Sequence, residues 1–345
     1  MNMKKILAIL FLVMLAGYVI AEPAPLLVSG QLIFAMTSNF DEGTVNEWYS
    51  EAFFNAMKPL TENTTAYLQF QALYKPDGKG DVKPFTALID DFYGKSKIGK
   101  VLGIDPNVVD LELTFGWYAA PVTTYTIGNY AYENVATQDA GSMGTAALKT
   151  TLFNGPSLLA WFNPNAVGAP DGELNPPRFG ANLLVPIGPV KTSVWYYSNG
   201  ALDPKIGGSV GLSLAAGDFN AQADVEGAVI PADPDTAVYG AALRVGYTQY
   251  LGLATNFMGN KDGLQKIAFE VDSKIINSFG ILSGVAFNAK SGKFDNAELG
   301  GWVAWESIKV RFGYMVTDTG AAMGTMYTSA VPLNGGIWVK GYLNF

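Results

Sequence analysis

Two stretches decide how the chain reads: Lys266–Ile275, KIAFEVDSKI, and Ile308–Val316, IKVRFGYMV. In an extended chain successive side chains point to opposite faces. Ile267, Phe269, Val271 and Ile275 then share one face, and Lys266, Glu270, Asp272 and Lys274 the other. In the second stretch Ile308, Val310, Phe312, Tyr314 and Val316 alternate with Lys309 and Arg311. The same period of two recurs at Ala66–Tyr74, Leu111–Trp117 and Tyr239–Tyr247. Such stretches have about the length a tilted strand needs to cross a bilayer, roughly 9–11 residues. Strands of soluble sandwiches are mostly shorter, about 5–6 residues, although a secreted sandwich with an apolar core also alternates. Aromatics gather near strand ends: Trp117-Tyr118, Trp195-Tyr196-Tyr197, Tyr247 with Tyr250, Trp302 with Trp305. That placement reads as interfacial girdles around a membrane barrel. The fold expected is all-β: a transmembrane, antiparallel, up-and-down β-barrel.

Composition agrees. Charged residues make up 15% of the 345 residues, hydrophobic residues 49%, and there are 39 glycines. Soluble proteins average about 25% charged residues, so the apolar surplus needs lipid to face. The chain has no Cys and no His. That excludes a disulfide framework, a Cys/His zinc site and a Ser-His-Asp triad. No cofactor and no catalytic residue is expected. With 22 Lys and Arg against 30 Asp and Glu, the chain is also a poor partner for nucleic acid. Asp77-Gly78-Lys79-Gly80-Asp81 has two carboxylates and no glutamate at the spacing of a calcium loop, so no metal is expected there.

The N-terminus carries an address. Lys4 and Lys5 precede an apolar run, Ile6–Ile20, and Val19-Ile20-Ala21 offers a cut after Ala21. These are the three regions of a secretory signal peptide, so residues 1–21 are expected to be removed and residues 22–345 to form one domain. A retained anchor is the alternative, but the run is short of the roughly 20 residues of a spanning helix. No Cys follows for a lipid anchor. Losing two lysines leaves the mature chain more acidic still.

Strands are expected at 26–36, 45–58, 64–75, 108–118 and 122–129, and thirteen more run from 144–153 to 335–345. The total is 18, with 16 as the alternative. Tight connections, such as Leu60–Asn63, Ala119–Pro121 and Ile187-Gly188, alternate with longer ones rich in Gly, Pro and Asp at 37–44, 76–107, 130–143, 163–177, 230–235 and 318–334. Short turns at one end and long loops at the other are the pattern of an outer-membrane barrel. Within 84–104, Phe85, Leu88, Ile89 and Phe92 have helical spacing and Lys95, Lys97 and Lys100 follow. A short helix in an outer loop is therefore expected there. The opposed reading is a basic patch that attracts anions.

Three segments resemble the general diffusion porins of bacterial outer membranes. Met57–Tyr74, MKPLTENTTAYLQFQALY, is similar to the first porin hairpin. Leu111–Tyr132, LELTFGWYAAPVTTYTIGNYAY, resembles the strand pair that leads into the constriction loop. The C-terminus, Val339-Lys340-Gly341-Tyr342-Leu343-Asn344-Phe345, resembles the signal read by the barrel assembly machinery, with Tyr342, Leu343 and Phe345 as its anchors. The chain departs from the family in lacking an acidic Pro-Glu-Phe-type loop motif, and it has only three arginines, Arg178, Arg244 and Arg311.

The resemblance implies passive diffusion of small hydrophilic solutes and ions through a water-filled homotrimeric channel, with outer-membrane lipid as its surroundings. It places 130–143 in the pore, with Glu133 and Asp139 facing Arg244, Lys309 and Arg311. Alternation itself puts Glu47, Glu51, Asp110, Glu112, Lys266, Glu270 and Lys340 on the lumen wall, either as ordinary solvated lumen residues or as acids and bases that face each other across the eyelet. Two other classes stay open: a sugar-specific channel and a structural or adhesive barrel. A lumenal row of rings would favour the sugar channel; parity allows Tyr67, Trp195, Tyr197 and Trp302 to face inward, but they form no clear ladder in the sequence. Gly207-Gly208, Gly211 and Ala215-Ala216 either let barrels approach one another or fill tight lumen positions.

Overall fold

A computed structural model describes residues 25–39, 44–74, 86–118, 145–164, 177–198, 203–248, 250–317 and 336–345. Eighteen antiparallel strands form a single sheet. They are β1 (Leu27–Asn39), β2 (Thr44–Thr61), β3 (Thr64–Tyr74), β4 (Thr86–Ser96), β5 (Val109–Trp117), β6 (Thr145–Leu152), β7 (Ser157–Asn163), β8 (Arg178–Ile187) and β9 (Val190–Ser198). The circuit continues through β10 (Lys205–Ala216), β11 (Phe219–Ile230), β12 (Asp233–Tyr247), β13 (Leu251–Asn260), β14 (Gly263–Ile276), β15 (Phe279–Asn288), β16 (Phe294–Trp305), β17 (Ile308–Thr317) and β18 (Gly336–Asn344). β1 pairs with both β2 and β18, so the sheet closes on itself and leaves no open edge among these strands.

The seam is closed by the chain terminus. Gly30 N–H donates to Phe345 O at 2.9 Å, and Phe345 N–H donates to Gly30 O at 3.1 Å. The Phe345 ring lies over Gly30 and meets Phe54 at a centroid distance of 5.5 Å. Apolar side chains cover the outside. Leu299, Val194, Val225, Val210 and Phe312 are exposed there. In lipid this exposure is favourable, whereas a Lys or Arg at the bilayer centre costs about 2–4 kcal/mol.

Two expectations about connections are corrected. Residues 86–96 form strand β4, not a loop helix. The cause is a bulge: Gln69 pairs with Asp91 while its neighbour Phe70 pairs with Ile89, leaving Asp90 extra. An extra residue breaks the period of two, so Ile89 and Phe92 both face out, three positions apart. That spacing imitates a helix. A one-turn helix, α1 (Ile98–Val101), follows in the β4–β5 connection at the short-turn end, so 76–107 is not one outer loop. The expected strand 122–129 lies outside the described residues, as do the leader 1–21, Asp77–Asp81 and the loop 130–143.

The strict alternation of short and long connections also fails. β11 and β12 are joined by residues 231–232 alone, and β13 and β14 by 261–262. In the first of these turns the Thr236 hydroxyl donates to Asp233 O at 2.6 Å and accepts from Ile230 N–H at 2.9 Å. Residues expected as loop therefore extend the hairpin.

Candidate functional site

The lumen wall is built by register. Direct cross-strand partners share a face, so one inward residue assigns its neighbours. Starting from Arg244 on β12, the row runs through Ala254 on β13, Glu270 on β14 and Gly284 on β15 to Glu298 on β16. It extends to Gln222 of β11 on one side and Met315 of β17 on the other. Two carboxylates thus flank a glycine, with an arginine two strands away from the first of them.

The same logic places every other described candidate. Asp110 and Glu112 lie on the face of Lys149 and Lys95, and Lys95 Nζ meets Glu112 Oε1 at 2.9 Å. Lys266 Nζ stands 3.7 Å from Asp295 Oδ2. Glu51 accepts a hydrogen bond from Gln71 Nε2, and Gln69 Nε2 donates to Asn55 Oδ1 at 2.7 Å. Arg311 pairs in register with Lys340 and with Trp302. Lys309 Nζ lies 4.7 Å from the Trp302 ring centre, and Lys340 Nζ 5.3 Å from that of Tyr342. Tyr342 therefore faces the lumen, while Leu343 and Phe345 face out. The side chain of Glu47 lies outside the described residues, as do Glu133 and Asp139.

Parity also identifies lumen residues that the sequence reading passed over: Asp91, Lys149, Lys191, Asp224, Glu226 and Glu298. Each is adjacent in its own strand to an apolar residue, which was the available signal.

The expected girdles are corrected in part. Trp117, Tyr196, Tyr247 and Trp305 face out, but Tyr118, Trp195, Tyr197 and Trp302 face the lumen. A buried cluster joins Tyr118, Trp161, Trp195 and Tyr197. Tyr93 meets Tyr67 at 4.7 Å and Tyr118 at 5.0 Å. The inward tryptophans share one device. Trp161, Trp195, Trp302 and Trp338 each pair directly with a glycine, respectively Gly180, Gly207, Gly280 and Gly313. The ring lies across that glycine, and a Cβ on Gly180 would come 2.7 Å from Trp161. Gly207, Gly211 and Ala215 are thus lumen positions, which removes them as a surface for barrel–barrel approach.

No family model and no curated protein matches the chain. Solved structures do. Acinetobacter baumannii OccAB3 is 7% identical, with a TM-score of 0.60 over 93% of this chain and 98% of that one. Pseudomonas aeruginosa OccK9 (OpdG) is 10% identical, with a TM-score of 0.59 over 93% and 97%. A mutant of Rh. blastica porin is 10% identical, with a TM-score of 0.56 over 93% and 100%. The chain has a porin fold. A porin fold closes its sheet around a lumen, and here that lumen is lined by the charged and amide side chains described above.

Proposed function

We propose that the chain is an outer-membrane porin, a channel rather than an enzyme, through which small hydrophilic solutes and ions diffuse passively. The observation that carries this reading is the separation of faces: the charged and amide groups lie inside, beside a set of inward aromatic rings, and the outer face carries exposed aliphatic and aromatic side chains. A barrel of 16–18 strands leaves a wide aqueous channel, so a size cut-off needs an inward segment. Residues 130–143 are that segment in this reading, reaching into the short-turn half of the pore so that Glu133 and Asp139 oppose Arg244, Lys309 and Arg311. Support comes from where the longer connection begins and ends: Thr145 Oγ1 donates to Tyr118 O at 3.2 Å, and both residues are buried on the lumen face.

Deleting 134–142 raises single-channel conductance, and Glu133→Gln with Asp139→Asn moves the reversal potential toward anions at low salt. Unchanged conductance and selectivity would place the constriction elsewhere. Burial of Trp161, Trp195 and Tyr197 weighs against a sugar track, which needs open ring faces. Leader cleavage after Ala21, delivery by the barrel assembly machinery through Tyr342, Leu343 and Phe345, and homotrimer formation complete the proposal. The mass of the detergent-solubilised protein tests the last; a mass matching one chain counts against it.

A further inference from the structure

Between the short-turn mouth and the middle of the pore the lumen charges are sorted by sign, while Arg178, Lys205 and Lys266 stand toward the loop end. Lys191, Lys274 and Lys309 hold lumen-facing registers at the short-turn ends of their strands, and Lys149, Arg311 and Lys340 hold such registers in the short-turn half or at the midpoint of theirs. Farther toward the loop end, Asp91, Asp224, Glu226, Glu270 and Glu298 hold the lumen-facing registers of a middle belt. The described lumen acids at the short-turn end are fewer: Asp110, Glu112, whose Oε1 meets Lys95 Nζ at 2.9 Å, and Asp272. Arg244, in the short-turn half of β12, shares the register row of Glu270 through Ala254.

We propose that this fixed-charge step, cationic at the short-turn mouth and anionic in the middle, makes the channel rectify ionic current. The proposal rests on the channel reading. A wall of one sign concentrates ions of the other, so anions gather at the short-turn mouth and cations in the belt. A positive potential on the loop side drives both populations toward the step and raises carrier density there. The reverse potential empties it. The screening length is about 30 Å at 0.01 M salt and 3 Å at 1 M, so the effect belongs to dilute salt.

The test is a planar-bilayer recording with known orientation. The chain has no native Cys, so Asn107→Cys, exposed in the β4–β5 connection, reports which side an impermeant thiol reagent reaches. At low salt the current with the loop side positive exceeds the reverse current, and at 1 M the ratio returns to one. Lys309→Gln with Arg311→Gln and Lys340→Gln lowers the ratio and shifts the reversal potential toward cations. Glu270→Gln with Glu298→Gln lowers the ratio and shifts it toward anions. Lys149→Gln with Lys191→Gln replaces the first set if that variant does not fold. An ohmic current at low salt overturns the inference while leaving the channel intact. Absence of any conductance overturns both.

Discussion

At the residue scale, glycine and tryptophan form one unit. A glycine inside a strand weakens it, having no side chain to pack. Here the facing tryptophan supplies the missing cover, as Trp161 does for Gly180 and Trp338 for Gly313. Gly180→Val is expected to cost about 1–3 kcal/mol by overpacking, read from urea unfolding of the refolded barrel. Leu299→Lys, on the lipid face, is expected to cost about 2–4 kcal/mol; Arg311→Gln, facing water, should change stability little. Face assignment was legible in the sequence because it needs only parity. The covered glycines were not, because Trp161 and Gly180 meet only once the register of β7 and β8 is known.

At the element scale, β4 shows how a bulge conceals a strand. Alternation is the sequence signal of a strand, and the extra Asp90 interrupts it in the middle of β4. Tryptophans substituted at Ile89 and Phe92 should both be quenched by brominated lipid chains, and one at Asp91 should not. Quenching at Asp91 would contradict the bulge. The closing seam gives a second prediction at this scale. Removing Phe345 deletes the acceptor of Gly30 N–H and the ring that covers Gly30. The folded band in heat-modifiability electrophoresis should then be lost at a lower temperature than in the full chain.

At the scale of the whole molecule, the strand number survives although one strand sits elsewhere in the chain. Residues 86–96 supply a strand where the residue spacing predicts a loop, so the count of 18 does not depend on 122–129. The axial sorting of lumen charge was not legible, because it needs the end of every strand and not only the parity within it. The central claim is that water fills the barrel and lipid surrounds it. Single-channel recording during addition of an impermeant, charged thiol reagent tests this most directly. Asp272→Cys and Arg311→Cys, on the lumen face, should show a stepwise change in conductance. Val271→Cys and Phe312→Cys, on the lipid face, should show none. Equal responses from both faces, or no open channel from any variant, would contradict the account.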